Sequence, residues 1–239
     1  MFKKTLCMLA LAALAGAAQA HQVWLEQAEG GKAVLRFGEF GDNLREASPG
    51  LLDNFVKPAG TLLSGKQEQA AQATKTADGF ALPFAATDGE SIVAEEASYP
   101  IHSFERDGKK ISSWYRPAAR LVTTLNAQSP KLLLDITPTG NEGEFLVTFN
   151  GKPLPKTEVE LVTQSGWAKS DYSDDKGLVS FDMPWKGQYV AEVSHTDRTP
   201  GERQGEKYDA VSYVTSLTYV KPAGVEPIPA GPAMAPNKK

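Results

Sequence analysis

Three histidines, His21, His102 and His195, are the only imidazoles in the sequence, so they are where metal binding or proton transfer near neutral pH would be sought. The one cysteine, Cys7, lies in an apolar leader. Without that leader the chain has no thiolate metal site, no cysteine nucleophile and no iron–sulfur cluster. The leader is short: Lys3 and Lys4 form a basic start, residues 5–16 are apolar, and Ala18-Gln19-Ala20 is a small-residue cleavage site. This pattern predicts an exported, periplasmic protein cut after Ala20, with no membrane span in the mature chain. The cut would begin the mature chain at His21, whose free α-amine and Nδ1 can close one chelate ring. Such nitrogen pairs suit nickel, copper, cobalt and zinc.

The three histidines lie far apart, and no H-x-x-x-H or H-E-x-x-H spacing occurs, so only the fold can bring them together. For His21 the alternative is an untethered first residue, although the strand-like Val23-Trp24-Leu25 directly after it argues for anchoring. His195 follows Tyr189, Ala191 and Val193 at period two, which places it at the core-side end of a strand. There it either binds metal, with Asp197 as an outer-shell partner, or caps the core through a backbone hydrogen bond. His102, between Tyr99-Pro100 and a charged turn, reads as a surface-loop residue and is the weakest ligand candidate. Asp209, after Tyr208, is within reach of a site near His195 or is ordinary turn chemistry.

Other catalytic constellations are missing. No Gly-x-Ser-x-Gly elbow and no glycine-rich phosphate loop occurs. The carboxylate pairs Glu95-Glu96 and Asp174-Asp175 are adjacent, hence splayed, and read as solvated surface. A non-enzymatic protein is expected. Trp114-Tyr115-Arg116-Pro117 either lines a groove, with Arg116 binding a carboxylate, or packs the two halves of the chain together, the reading favoured here.

These residues must be positioned by a turn-rich chain of 239 residues, with 21 glycines, 16 prolines and a net charge of −4. Loss of Lys3 and Lys4 with the leader makes the remainder more acidic, which argues against nucleic acid as a partner. No long helical periodicity appears. Short strands are predicted at 33–37, 81–86, 91–97 and 120–125, a helical turn within 46–56, and 67–73 is left open. From Gly143 the pattern is clearer: strands at 144–150, 157–163, 178–183, 187–193 and 211–220, with Asn150-Gly151 and Asp174-Asp175-Lys176-Gly177 as turns. Strands at this spacing signal a β-sandwich. The expected organisation is all-β: a leader (1–20), an N-terminal β-rich domain (21–138), a C-terminal β-sandwich (139–221) and a disordered proline-rich tail (222–239).

Five segments together carry a family resemblance: the start His21-Gln22-Val23-Trp24-Leu25-Glu26; Leu134-Asp135-Ile136-Thr137-Pro138; Phe149-Asn150-Gly151-Lys152-Pro153-Leu154; the block from Asp175-Lys176-Gly177 through Pro184-Trp185-Lys186-Gly187-Gln188-Tyr189 to Glu192-Val193-Ser194-His195; and Tyr208-Asp209 leading to residues 215–220. On these the chain resembles an uncharacterised-domain family of exported bacterial proteins associated with cobalt and nickel uptake by energy-coupling-factor-type systems. The Gly-Lys-Pro-Leu turn also resembles the prealbumin-like regulatory modules of carboxypeptidases, small β-sandwiches whose fold does not fix a function. The family resemblance implies delivery of nickel or cobalt to an inner-membrane importer. It points to His21 and His195, which fall in the matching segments. This chain lacks the histidine-rich stretch of many members. Two other readings stay open: a periplasmic copper-binding protein using His21, and a non-catalytic β-sandwich interaction module.

Overall fold

The computed structural model describes residues 21–106 and 108–237. The leader, Cys7 and the cleavage site lie outside the described residues. In chain order the strands are β1 (Gln22–Gln27), β2 (Ala33–Glu39), β3 (Leu44–Arg45), β4 (Ala59–Ser64), β5 (Gln67–Gln72), β6 (Thr74–Lys75), β7 (Phe80–Ala81), β8 (Ser91–Glu95), β9 (Ile101–Arg106) and β10 (Lys109–Val122). They continue with β11 (Leu134–Pro138), β12 (Glu144–Phe149), β13 (Lys152–Pro153), β14 (Glu158–Thr163), β15 (Ala168–Tyr172), β16 (Leu178–Ser180), β17 (Gly187–Asp197), β18 (Gly201–Arg203), β19 (Glu206–Tyr208) and β20 (Ala210–Lys221). A 3-10 turn, Leu51–Asn54, falls inside the segment expected to hold a helical turn. The open segment around 67–73 is a strand.

The class is all-β and sandwich-like, as predicted. A nine-stranded sheet runs β15-β14-β17-β20-β10-β8-β4-β5, with β9 on β10. Strands β1, β2, β3, β6 and β7 form a second sheet; β11, β12, β13 and β16 form a third. Two consecutive residues of β20 show how the layers stack. Thr215 Oγ1 donates to Leu134 O on β11 at 2.9 Å, and Ser216 Oγ donates to Val23 O on β1 at 2.7 Å. Neighbours on a strand point to opposite faces. The β1 sheet therefore covers one face of the central sheet and the β11 sheet covers the other.

Each interface is apolar because the strands alternate. Val23, Leu25, Leu35 and Phe37 pack on Ile92, Ala94, Ala119 and Leu121. Leu134, Ile136, Phe145 and Val147 pack on Val159, Leu161, Tyr189, Ala191, Val193 and Leu217. The boundary expected at 138/139 falls between β11 and β12, which pair with each other. The central sheet continues across both halves through the parallel pairing of β10 with β20.

The tail, expected from its prolines as a disordered or polyproline-like extension, makes defined contacts. It has no regular structure, but it is tied down. Val225 N donates to Pro184 O and Lys186 N to Val225 O, both at 2.9 Å. Further on, Asn43 Nδ2 donates to Gly231 O at 2.8 Å and Met234 N to Asn43 O at 3.2 Å.

Candidate metal centre

Strand β1 brings His21 to the edge of the smaller sheet, with Gln22 opposite Gly38 on β2. Gly38 has φ 144°, and a Cβ there would lie 2.3 Å from Leu44 O. Only glycine lets β2 and β3 approach this closely. The close approach puts Glu39 and Glu46 on either side of the His21 ring. Nε2 lies 2.6 Å from Glu46 Oε1, and Nδ1 lies 3.3 Å from Glu39 Oε1. The Glu46 side chain is fully buried, whereas those of His21 and Glu39 keep 22% and 17% exposure, so the Nδ1 side is the open one.

The ring rests on Phe37, centroids 5.2 Å apart, and the Tyr115 hydroxyl on β10 donates to His21 O at 2.8 Å. Burial holds the Tyr115 phenol well above its ordinary value, with Glu192 and Tyr99 acting the same way, so it stays a donor. Burial also pushes the Glu39 carboxyl up; Asp42 adds to this through a hydrogen bond, and His21 opposes it. Strand β1 is fixed further by Glu26, which accepts from Arg36 Nε at 2.9 Å and Arg45 Nη2 at 2.6 Å. His21, the residue directly before β1, is thus held by both its ring and its carbonyl.

The other two histidines do not join it. His195 stands opposite Tyr213 on β20, and both pack on Phe149 of β12, the His195 ring at 4.5 Å. Tyr213 shares a face with Thr215, the face covered by the β11 sheet. His195 and His21 therefore lie on opposite faces of the central sheet. His102 stands opposite Ser113 on the β9–β10 hairpin, its ring 6.0 Å from that of Phe104. Burial lowers its pKa. Asp197 accepts from Thr199 N at 2.9 Å; that residue's hydrogen bonds lower the carboxyl's pKa, with a smaller contribution from His195. Asp209 Oδ2 accepts from Ser112 N at 2.7 Å, a backbone role. Among the described residues no three His, Cys, Asp or Glu side chains are arranged to hold a metal. A shared three-histidine site is not what this fold builds.

Three residues of the His21 environment, Glu39, Glu46 and Asn237, carry no signal in the sequence. Asn237 N donates to Glu46 Oε2 at 3.0 Å, and Asn237 Nδ2 donates to Glu46 Oε1 at 2.7 Å while lying 3.1 Å from His21 Nε2. No sequence pattern connects positions separated by 25 and 216 residues.

The arrangement has a definite chemical capacity. A carboxylate can only accept, and each ring nitrogen faces one. Glu46 is the nearer, at 2.6 Å against 3.3 Å for Glu39, so in the neutral imidazole the proton sits on Nε2 and the Nδ1 lone pair faces Glu39. Asn237 Nδ2, itself a donor, gives its hydrogen to Glu46 Oε1 and not to Nε2. Imidazoles that bind metals are oriented in this way, the second nitrogen donating to a buried carboxylate. Glu39 offers an oxygen beside that lone pair. Two donors at roughly 2.0–2.1 Å from a tetrahedral metal stand about 3.3 Å apart, so the Nδ1–Glu39 spacing fits a shared ion.

No helix among the described residues is long and apolar enough to cross a membrane. No curated protein matches the chain. Among solved structures it is similar to one concerned with host cell surface retention of a 1.5-MDa bacterial ice-binding adhesin. That likeness has 8% identity, covers 86% of this chain and 65% of that one, and has a TM-score of 0.24, too low to carry an argument. The chain spans less than two thirds of that structure. A family model matches residues 18–197, most of the chain, and by that match the protein belongs to the family described as a domain of unknown function, DUF4198.

Proposed function

We propose that the protein is a periplasmic binder of a divalent transition metal, nickel or cobalt, that serves an uptake system and takes the ion at a processed N-terminus. The observation that carries this reading is the line Glu46–His21–Glu39. One carboxylate fixes the imidazole tautomer, and the other stands where a second donor is needed. Cleavage after Ala20 would add the His21 α-amine as a third donor. That donor is not a side chain, so the site does not depend on a third histidine. The resemblance carried by the His21–Glu26 and Asp175–His195 segments supplies the choice of nickel or cobalt and of an inner-membrane importer as the receiver.

Copper(II) is the competing cargo, because it outranks nickel at an amine–imidazole site. Binding to the protein beginning at His21 is tested by titration with nickel, cobalt, copper(II) and zinc. His21→Ala is expected to abolish tight binding. Affinity unchanged in that variant contradicts the reading, and the ranking of metals chooses between uptake and copper handling.

A further inference from the structure

The C-terminal tail reaches the proposed site at Asn237, and its contacts have one pattern. From β20 it bridges Trp185 through Val225, then meets Asn43 in the β2–β3 turn and Leu44 at the start of β3, and reaches Glu46 through Asn237. Its apolar side chains are not buried: Val225, Ile228 and Met234 are 61%, 61% and 53% exposed. Hydrophobic burial therefore does not hold it. Polar ties at its two ends do, and Pro227, Pro229, Pro232 and Pro236 stiffen the stretch between.

The last tie is the informative one. Glu46 is a fully buried carboxylate, and a buried carboxylate needs donors. His21 Nε2 provides one; the backbone and side-chain nitrogens of Asn237 provide two more. Without the tail, Glu46 keeps only the imidazole as a donor and opens to water, so the carboxylate that orients the ring is itself no longer held in place.

We infer that the tail is a strap and Asn237 a positioning residue: by saturating Glu46 it locks His21 with the proton on Nε2 and Nδ1 free to bind. The metal consequence rests on the proposed function; the locking of the imidazole does not. Because the strap is held at its ends, it can lift without unfolding the sheets, and lifting it would loosen the ion.

The test is Asn237→Ala in the protein beginning at His21. Asn237 is exposed, and the β-sheet core is untouched. Two quantities are read: the His21 tautomer in the metal-free protein, by nitrogen-15 NMR, and the dissociation constants for nickel(II) and copper(II). Wild type is expected to hold one tautomer, with the proton on Nε2. The variant is expected to show a tautomer mixture and to bind about tenfold to a hundredfold more weakly, the usual loss when an outer-shell partner of a metal-binding histidine is removed. A wild-type tautomer and wild-type affinity in the variant overturn the strap while leaving the metal reading standing. A tautomer change in a protein that binds neither ion supports the strap and overturns the metal reading.

Discussion

Glu46 Oε1 lies 2.6 Å from His21 Nε2 although the two residues are 25 positions apart, and the glutamate is fully buried while the imidazole is partly open. A buried acceptor on one ring nitrogen decides which nitrogen is left to bind. Replacing Glu46 with Gln keeps the shape but removes the charge that makes the imidazole a stronger donor. We expect Glu46→Gln to weaken metal binding about tenfold to a hundredfold, read by calorimetric titration.

His195 is separated from this site by the central sheet. His195→Ala should therefore leave metal affinity unchanged. It removes a ring packed at 4.5 Å on Phe149, so a loss of about 1 kcal/mol in denaturant stability is expected. A large drop in affinity would mean that the two histidines do cooperate.

Arg120 and Asp135 form a fully buried pair, with Arg120 Nε donating to Oδ1 at 3.0 Å and Nη2 to Oδ2 at 2.6 Å. The same carboxylate accepts from Lys131 N at 2.7 Å and Leu132 N at 3.0 Å. It fastens β11 to the central sheet. Asp135→Ala would strand a buried guanidinium, and a loss of roughly 3–5 kcal/mol is expected in urea unfolding.

Glu192 faces Glu160 across β14 and β17 and lies near Glu39 and Tyr115, so its neighbours are acids and a phenol. Burial pushes its carboxyl up to about 8, with Glu160 and Glu39 adding to the shift. The folded state thus holds a proton that the unfolded chain releases near its ordinary value of 4.5. Stability is full below about 4.5, falls as pH rises, and stops falling above about 8. Glu192→Gln removes that dependence. Relative to wild type it should be neutral near pH 4 and stabilising by roughly 2–4 kcal/mol near pH 9, read as melting temperature against pH.

What the sequence showed depended on how local the signal was. Tyr189, Ala191 and Val193 alternate into the core as their period requires, and the turn at Asn150-Gly151 lies between β12 and β13. Period-two burial and turn chemistry are written within a few residues. Glu95-Glu96 read as a solvated pair, and half of that holds: Glu95 is exposed and meets Arg116, while Glu96 is buried and accepts from Val56 N and Lys57 N at 2.7 Å. The Arg120–Asp135 pair, the β10–β20 pairing that joins the halves, and the Glu46–His21–Asn237 cluster all depend on strand register set far away in the chain. The contacts of the tail are hidden in the sequence for a related reason. Its ties are main-chain groups, one asparagine and the Glu226–Lys186 ion pair, which leave no hydrophobic pattern.

The most direct measurement compares two proteins that differ by one residue. One begins at His21 and the other carries a single additional alanine before it; each is titrated with nickel, cobalt, copper(II) and zinc. Tight one-to-one binding to the first and its loss in the second is the predicted result, because the extra residue removes the α-amine and leaves every side chain in place. Equal affinity in both would show that the amine is not a ligand, and binding no tighter than millimolar in either would contradict the metal-binding account itself.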